Sequence, residues 1–460
     1  MDTATAARIV AGRAVGPNAR FLRVTTDSRS LRPGDLFVAL RGERFDGHDF
    51  VPAALAQGAA AALVAEDRAG AVGEGALVAV ADPLAALGAL ASHWRSRFDI
   101  PLAIVVGSNG KTTVKEMTAA ILRAHYGDAA VLATEGNLNN AIGLPLTLLR
   151  LTERDRAAVV ELGMNHRGET RELAALARPT IAIVNNAQRE HQEFMTSVDE
   201  VAAEHADAVL ALRAGGVAVL NADDEHLAVW KAAAQRAGAG VVTFGLAHRA
   251  DVKAKARLLF DRSELAISTP QGACDVTLAV PGAHMARNAL AATAAALAAG
   301  VDLGAVARGL AAFRAVRGRL VARHAVHGAL VLDDTYNANP DSMRAAIDVL
   351  AAAPGAPCLV MGDMGEVGEQ GPAFHREIGA YARERGVVRL YALGTLAREA
   401  AAAFGEGARH FDEVEPLIAA VSRDAYAGTT LLVKGSRFMR MERVVSALVG
   451  PDESARGASH

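Results

Sequence analysis

Cysteine is scarce in this chain, and so is every feature that would tie it to a membrane, a nucleic acid or an oxidising compartment. Cys274 and Cys358 are the only two cysteines in 460 residues. They lie far apart and outside any metal-ligand spacing, which excludes a disulfide framework and suits a reducing compartment. The formal net charge is -3, so no large basic field argues for nucleic acid. The start "MDTATAARIV" has no basic segment followed by an apolar one, and no signal peptide is expected. The most apolar run, "ALAATAAALAAGV" at 289–301, is mostly alanine and too short to span a bilayer; it reads as a buried helix. A cytoplasmic protein without membrane insertion is expected, acting as a monomer. Hydrophobic residues make up 51% and charged residues 22%, which is ordinary for a globular protein. The length is too great for one core, so two to four domains are expected.

What is present is a succession of bare apolar runs. In residues 1–98, runs such as "LFVAL" (36–40) and "AALVAE" (61–66) alternate with alanine-rich stretches. Over 99–318 the pattern becomes a cleaner βα repeat, with "LAIVV" (102–106), "AAVVEL" (157–162), "IAIVNN" (181–186) and "GVAVLN" (216–221). Runs of this kind fit strands buried on both faces of a mostly parallel sheet. A third series fills 319–450: "ALVLDD" (329–334), "PCLVMGD" (357–363), "VRLYALG" (388–394) and "TTLLVKG" (429–435). The tail 451–460 is small and polar, and disorder is expected there. The fold class is therefore α/β in three domains. Ligands of open α/β sheets gather at the carboxyl ends of strands, which points to Gly107, Glu161, Asn185, Asn221, Asp334, Gly362 and Lys434.

The first of those ends opens the stretch "IVVGSNGKTTVKEM". The usual phosphate loop has glycines five apart; here Gly107 and Gly110 enclose only Ser108 and Asn109. The context still suits phosphate, because a buried strand enters and an amphipathic helix leaves, with Val114, Met117 and Ile121 on one face. Backbone N–H groups from Gly107 to Thr113 and the helix start then face an anion. Lys111 can reach the outer phosphates, and the Thr112 hydroxyl can bind Mg²⁺. A guanine reader N-K-x-D is missing, since its candidate "NADD" (221–224) lacks the lysine; adenine, and so ATP, is expected.

The short loop resembles that of the Mur ligases, which add amino acids to the UDP-linked cell-wall precursor. The likeness extends along the chain. "DSRSLRPGDLFVALRGERFDGHDF" (27–50) is similar to the UDP-sugar domain of the late-acting members. "GNLNNAIGLP" (136–145), "ELGMNHRGE" (161–169), "DDTYNANPDSM" (333–343), "GDMGEVG" (362–368) and "VKGSR" (433–437) resemble the MurF family, which adds D-Ala-D-Ala to UDP-MurNAc-tripeptide. The D-N-P-R motif of the diamino-acid-adding family is missing, and the UDP-domain motifs argue against folylpolyglutamate synthase. A non-catalytic nucleotide switch is the alternative from another class, and intact Lys111, Thr112 and Glu161 argue against it.

The resemblance implies three domains: UDP-binding, central ATPase and C-terminal Rossmann-like. It implies ATP and Mg²⁺, with Glu161 and His191 as further metal ligands and Asn288 as the base contact. Arg319 stands at the hinge into the third domain, and Asp334 accepts from the ribose. Ser28 and Arg29 are implied for uridine and diphosphate. Asn137, Asn337, Lys434, Ser436 and Arg437 are implied for the substrates. His48 reads equally as a turn residue or a ligand contact. No physical role follows from the sequence for His375 or the "GDMGEVG" loop.

One position departs from the family. Many Mur ligases carry a lysine fourteen residues after the histidine matching His191, carbamylated to give an extra metal-binding carboxylate. Here His205 stands there, and no lysine lies between Lys115 and Lys231. The stretch 197–212 reads as a helix with a capping box from Ser197 and Glu200, and His205 falls on its apolar face. Two readings stay open: a core histidine, or recruitment of His205 or Glu204 towards the second Mg²⁺. Both predict that activity is independent of added bicarbonate. Turnover measured in bicarbonate-depleted and supplemented buffer checks this, and stimulation by bicarbonate sinks both.

Overall fold

A computed structural model describes residues 1–72, 74–190 and 192–450. His191 and the 451–460 tail, two subjects of the sequence reading, lie outside the described residues. The described chain forms three sheets of five, nine and six strands. The first holds β1 (Arg13–Val15), β2 (Arg23–Thr25), β3 (Asp35–Val38), β4 (Ala61–Ala65) and β5 (Leu77–Val80). The second holds β6 (Leu102–Val106), β7 (Val131–Ala133), β8 (Ala157–Glu161), β9 (Ile181–Val184), β10 (Val217–Asn221), β11 (Gly240–Gly245), β12 (Val252–Leu258), β13 (Ser263–Thr269) and β14 (Gly272–Leu278). The third holds β15 (Val321–His324), β16 (Leu330–Asp334), β17 (Ala356–Gly362), β18 (Arg389–Leu393), β19 (Ala408–Phe411) and β20 (Thr429–Lys434).

The bare apolar runs are strands for the reason periodicity gives. In β6, Ala103 and Val105 face one core, whereas Leu102, Ile104 and Val106 face another on the opposite side of the sheet. A strand covered on both faces has no polar side to alternate with. From β7 to β12 the second sheet is parallel, in the order β7-β8-β6-β9-β10-β11-β12. The chain leaves β6 for one side of the sheet (β7, β8) and returns to its other side (β9). That reversal opens a crevice at the carboxyl end of β6, where Gly107 begins.

The antiparallel β12–β14 extension was not among the sequence expectations. Its signal was there: β13 alternates buried and exposed positions along Ser263–Thr269, the period-2 pattern of a half-covered strand. In the third sheet β16, β20, β17, β18 and β19 are parallel and β15 is antiparallel. One continuous core, containing Val105, Ile121, Leu332, Met343 and Leu432, packs the second sheet's helices against the third sheet's.

Most of the alanine-rich run lies in the helix Ala283–Ala298, which is buried along most of its length. Small side chains let it sit close to the helix Lys111–Tyr126 that leaves the phosphate loop. A third helix, Leu303–Ala312, comes closer still: a Cβ on Gly309 would stand 2.4 Å from the Ile121 Cα and 2.8 Å from the Ala120 carbonyl oxygen. Both obstacles are backbone, so they cannot rotate away. Gly309→Ala is therefore expected to push the two helices apart at a cost of about 1–3 kcal/mol. Urea unfolding followed by circular dichroism checks this; an unchanged midpoint contradicts the contact.

Candidate active site

The phosphate loop is built by its neighbours before any ligand arrives. Gly107 and Gly110 have φ of +140° and +83°. A Cβ on Gly107 would meet the Asn185 Cβ at 2.9 Å, and one on Gly110 would meet the Asn288 Oδ1 at 2.6 Å. Glycine thus serves both conformation and close approach. Two asparagines after β9 hold the loop. The side-chain amides of Asn185 and Asn186 donate to the Asn109 carbonyl at 2.7 and 3.0 Å, and the Asn186 Oδ1 accepts from the Asn109 N–H at 2.8 Å. Ser108 Oγ accepts from the Gln188 N–H at 2.8 Å. No side chain caps the helix start at Gly110, so its first N–H groups are left for an anion.

Lys111 Nζ folds back onto the Gly107 carbonyl at 2.5 Å and lies 3.4 Å from a Glu190 carboxylate oxygen. Thr112 Oγ1 donates to Glu161 at 2.7 Å and accepts from Arg319 Nη2 at 2.8 Å. Asn139 Nδ2 donates to the other Glu161 oxygen at 2.8 Å. The Glu161 N–H is held by Thr134 Oγ1 at 3.0 Å, while the buried Lys115 ammonium donates to the Thr134 carbonyl at 2.8 Å. The Arg319 guanidinium is stacked over Tyr336, 4.2 Å from the ring centre, which presets its planar fork. Lys111, Thr112, Glu161 and Arg319 therefore meet in one cleft of about 880 Å³ between the second and third sheets. Asn288 is buried in that cleft with its Oδ1 accepting from Asn185 Nδ2 at 2.9 Å.

A divalent cation fits the oxygen set. A hydroxyl on Thr112 and carboxylates on Glu161 and Glu190 are hard donors of the kind Mg²⁺ prefers. Among the described residues no group of three His, Cys, Asp or Glu could hold a metal, so these residues offer partial coordination that phosphate oxygens and water would help to complete.

Several of the expected site residues are also engaged by the protein itself. Asp334 lines the cleft but accepts from Lys434 Nζ at 2.7 Å and the Leu320 N–H at 3.1 Å. Lys434 also donates to the Asn337 carbonyl at 2.9 Å and is 3% exposed. It lines the cleft, as expected of a substrate contact, and also anchors Asp334 and the Asn337 turn. The Ser436 hydroxyl accepts from the Gly365 N–H and donates to the Ala338 carbonyl, so it ties two loops together. Arg437 pairs with Glu442 and is 67% exposed, and it does not line the cleft. Arg29 pairs with Asp27; neither it nor Ser28 lines the cleft, whereas Asn137 and Asn337 do. His48 is structural: its buried Nε2 accepts from the Ala65 N–H at 2.9 Å. His375 likewise accepts from the Met364 N–H at 3.0 Å through Nε2 and donates to the Gly371 carbonyl through Nδ1. Burial holds its pKa below the ordinary value, which keeps Nε2 an acceptor. That supplies the missing role: His375 fastens the "GDMGEVG" loop.

Glu204, one of the two residues left open for recruitment, is engaged elsewhere. Its two oxygens accept from the Gly168 and Thr170 N–H groups at 2.9 and 2.8 Å, capping the helix Glu169–Ala177 rather than facing a metal. The helix Val198–Leu210 does begin at Ser197, as its capping pattern predicts. His205 is buried with Nε2 3.6 Å from a Glu190 oxygen, so it stands behind Glu190 and Lys111.

Sequence reasoning missed Glu190 and the contacts between the sheets. Arg189 bridges Asp341 and Glu377, each at 2.6 Å, and its backbone N–H donates to Asp341 at 2.9 Å. Asn109 and Asn339 pair through their side-chain amides at 3.0 and 3.3 Å. The charged string "QREHQE" beside the β9 end was the available signal. Only folding shows that Asp341, more than a hundred residues away, completes it.

The fold and the cleft define an α/β enzyme that handles a nucleoside triphosphate between two sheets. Similar proteins narrow this. The Mur ligase middle domain matches residues 105–296, the Mur ligase glutamate ligase domain 317–437, and the Mur ligase family catalytic domain 20–120. The UDP-N-acetylmuramoyl-tripeptide–D-alanyl-D-alanine ligase of Escherichia coli K12 is 40% identical, with 96% of each chain covered. A crystal structure of MurF from Acinetobacter baumannii superimposes with a TM-score of 0.89 at 33% identity, covering 97% of this chain and 98% of that one. MurF ligase from Thermotoga maritima in complex with ADP gives 0.82 at 27% identity, covering 93% and 97%. The chain belongs to the Mur ligase family, within its MurF branch.

The Arg189 cluster predicts a mechanical effect. Arg189→Ala removes the cation between two carboxylates that are partly shielded from water, at an expected cost of about 1–3 kcal/mol. Solution scattering should show a larger radius of gyration as the third sheet loosens from the second. An unchanged scattering profile would show that these pairs do not hold the cleft shut.

Proposed function

We propose that this cleft joins UDP-N-acetylmuramoyl-tripeptide to D-alanyl-D-alanine, with ATP converted to ADP and phosphate. The convergence of Lys111, Thr112 and Glu161 with Arg319 from the far side of the cleft carries the reading. A carboxylate is a poor electrophile. Transfer of the γ-phosphoryl group to it gives an acyl phosphate, which the dipeptide amine attacks with loss of phosphate. Phosphoryl transfer needs positioning and charge neutralisation more than covalent help. The loop from Gly107 to Thr113 supplies N–H donors, and Lys111 swings from the Gly107 carbonyl towards the outer phosphates. Arg319 adds a second cation from the third sheet. Thr112 and Glu161, with His191 as a further proposed ligand, would hold Mg²⁺, which would supply the remaining charge neutralisation. Asn288 reads the base, and Asp334 faces the ribose. Asn137 and Asn337 are assigned to the peptide substrates; Ser28 and Arg29 are assigned to the UDP end.

We assign the domain limits to 1–98, 99–318 and 319–450; no sheet crosses either boundary. A monomer is assigned as the working unit. No helix among the described residues is long and apolar enough to cross a membrane, and the ATP requirement supports the cytoplasm as the compartment of the reaction.

One incubation tests this. ATP, Mg²⁺, UDP-MurNAc-tripeptide and D-Ala-D-Ala should yield UDP-MurNAc-pentapeptide, weighed by mass spectrometry. Use of free D-Ala, or no extension of the nucleotide peptide, overturns the assignment. Lys111→Ala, run alongside, should lose roughly 10²-fold or more in kcat, the scale for removing a preorganised charge from a transition state.

A further inference from the structure

The chain enters the third sheet through "VRGRL" (316–320), and its backbone turns twice there in the left-handed sense. Gly318 has φ of +72° and Leu320 φ of +56°. Glycine visits this region freely, whereas a residue with a bulky side chain is rarely found in it. Four other non-glycine residues among the described ones share it: Ala11, Arg178, Glu366 and Arg440. Those four are exposed, and Arg178 and Arg440 end helices. Leu320 is buried, at 3% exposure, and stands directly before β15.

Leu320 is pinned at both backbone and side chain. Its N–H donates to Asp334 Oδ1 at 3.1 Å, and Asp334 is itself held by Lys434 at 2.7 Å. Its side chain sits in the core shared by the second and third sheets. On the other side of Arg319, the Gly318 carbonyl accepts from the Tyr336 N–H at 3.0 Å. The Arg319 N–H donates to the Val316 carbonyl at 2.9 Å. Arg319 is thus clamped between two left-handed residues, each tied to the segment that follows β16. From that clamp its guanidinium lies over Tyr336 and donates to Thr112 Oγ1 across the cleft. Its Nε is buried and has no hydrogen-bond partner in the protein.

Glycine at 320 would give the turn without strain, but it would give no anchor. Leucine brings strain and an anchor together. Strained conformations persist where their surroundings over-determine them, and they gather at functional sites. Resting on the ligase reading, in which Arg319 neutralises charge on the transferring phosphoryl group, we propose that Leu320 is a positioning residue for Arg319. Its left-handed backbone, fixed by Asp334 and by the core, aims the guanidinium at the phosphoryl group and keeps it there. Such rigidity matters because a misplacement of about 1 Å can cost on the order of 10² in rate.

A double-mutant cycle on kcat tests this. Leu320→Met keeps the volume and is no worse suited to positive φ, so it should stay within about twofold of wild type. Leu320→Ile also keeps the volume, but a β-branched side chain is a poorer occupant of this region. Its kcat should fall roughly tenfold or more, with the KM for UDP-MurNAc-tripeptide within about twofold of wild type. In the Arg319→Ala background the same Leu320→Ile change should alter kcat by less than about twofold, because the group it positions is gone. Leu320→Gly, which favours the turn but loses the anchor, should show the same dependence on Arg319, and it carries the test if the isoleucine chain does not fold. An unchanged kcat in either variant overturns the proposal. So does an equal fall in Leu320→Met and Leu320→Ile, which would mean packing alone. An equal fall with and without Arg319 overturns it too, as general damage to the hinge. If wild type makes no pentapeptide at all, the ligase reading falls first and this inference with it.

Discussion

Everything in this molecule hangs on β6 being covered on both faces in the middle of the second sheet. Its five residues are all buried, so its direction and register are set by two cores at once. A one-residue slip would exchange the side chains of those two cores. Gly107 leaves that strand at the point where the sheet order reverses. The phosphate loop is therefore placed by packing, and its short G-S-N-G form is compensated by Asn185 and Asn186 from the neighbouring strand β9. A longer loop could satisfy its own N–H and carbonyl groups; this one relies on amide side chains.

Charge then connects the second sheet to the third. Arg319 reaches Thr112, Arg189 reaches Asp341 and Glu377, and Asn109 pairs with Asn339. Each contact involves a group within a few residues of the phosphate loop or of the β9 end that supports it. Nucleotide binding in the loop and the seating of the third sheet consequently share partners. Lys111 illustrates the point: in this arrangement it holds the Gly107 carbonyl and lies near Glu190, with His205 behind. Any anion that draws Lys111 away changes what Glu190 and His205 face.

The fold was largely legible. Bare apolar runs gave the parallel strands, because a strand buried on both faces leaves a periodicity that local composition cannot disguise. The β12–β14 extension escaped because its alternation is mixed with charged residues such as Lys253 and Arg257. The loop residues and Glu161 were also legible, since a strand end and a helix start are local events. The engagement of Lys434 and Ser436 with neighbouring loops was not legible, for one reason. A polar residue at a strand end can face a ligand or fasten another loop, and both choices look alike in sequence.

The sequence by itself determined the three α/β series, the nucleotide loop and the absence of a family lysine at His205. These rest on short-range chemistry: hydrophobic period, glycine conformations and residue identity. Only the tertiary structure decided which polar groups are engaged with the protein and which face the cleft. Those assignments depend on pairs such as Lys434 with Asp334, a hundred residues apart. A buried polar atom takes whatever partner the packing brings within hydrogen-bonding distance, and packing is a property of the whole chain.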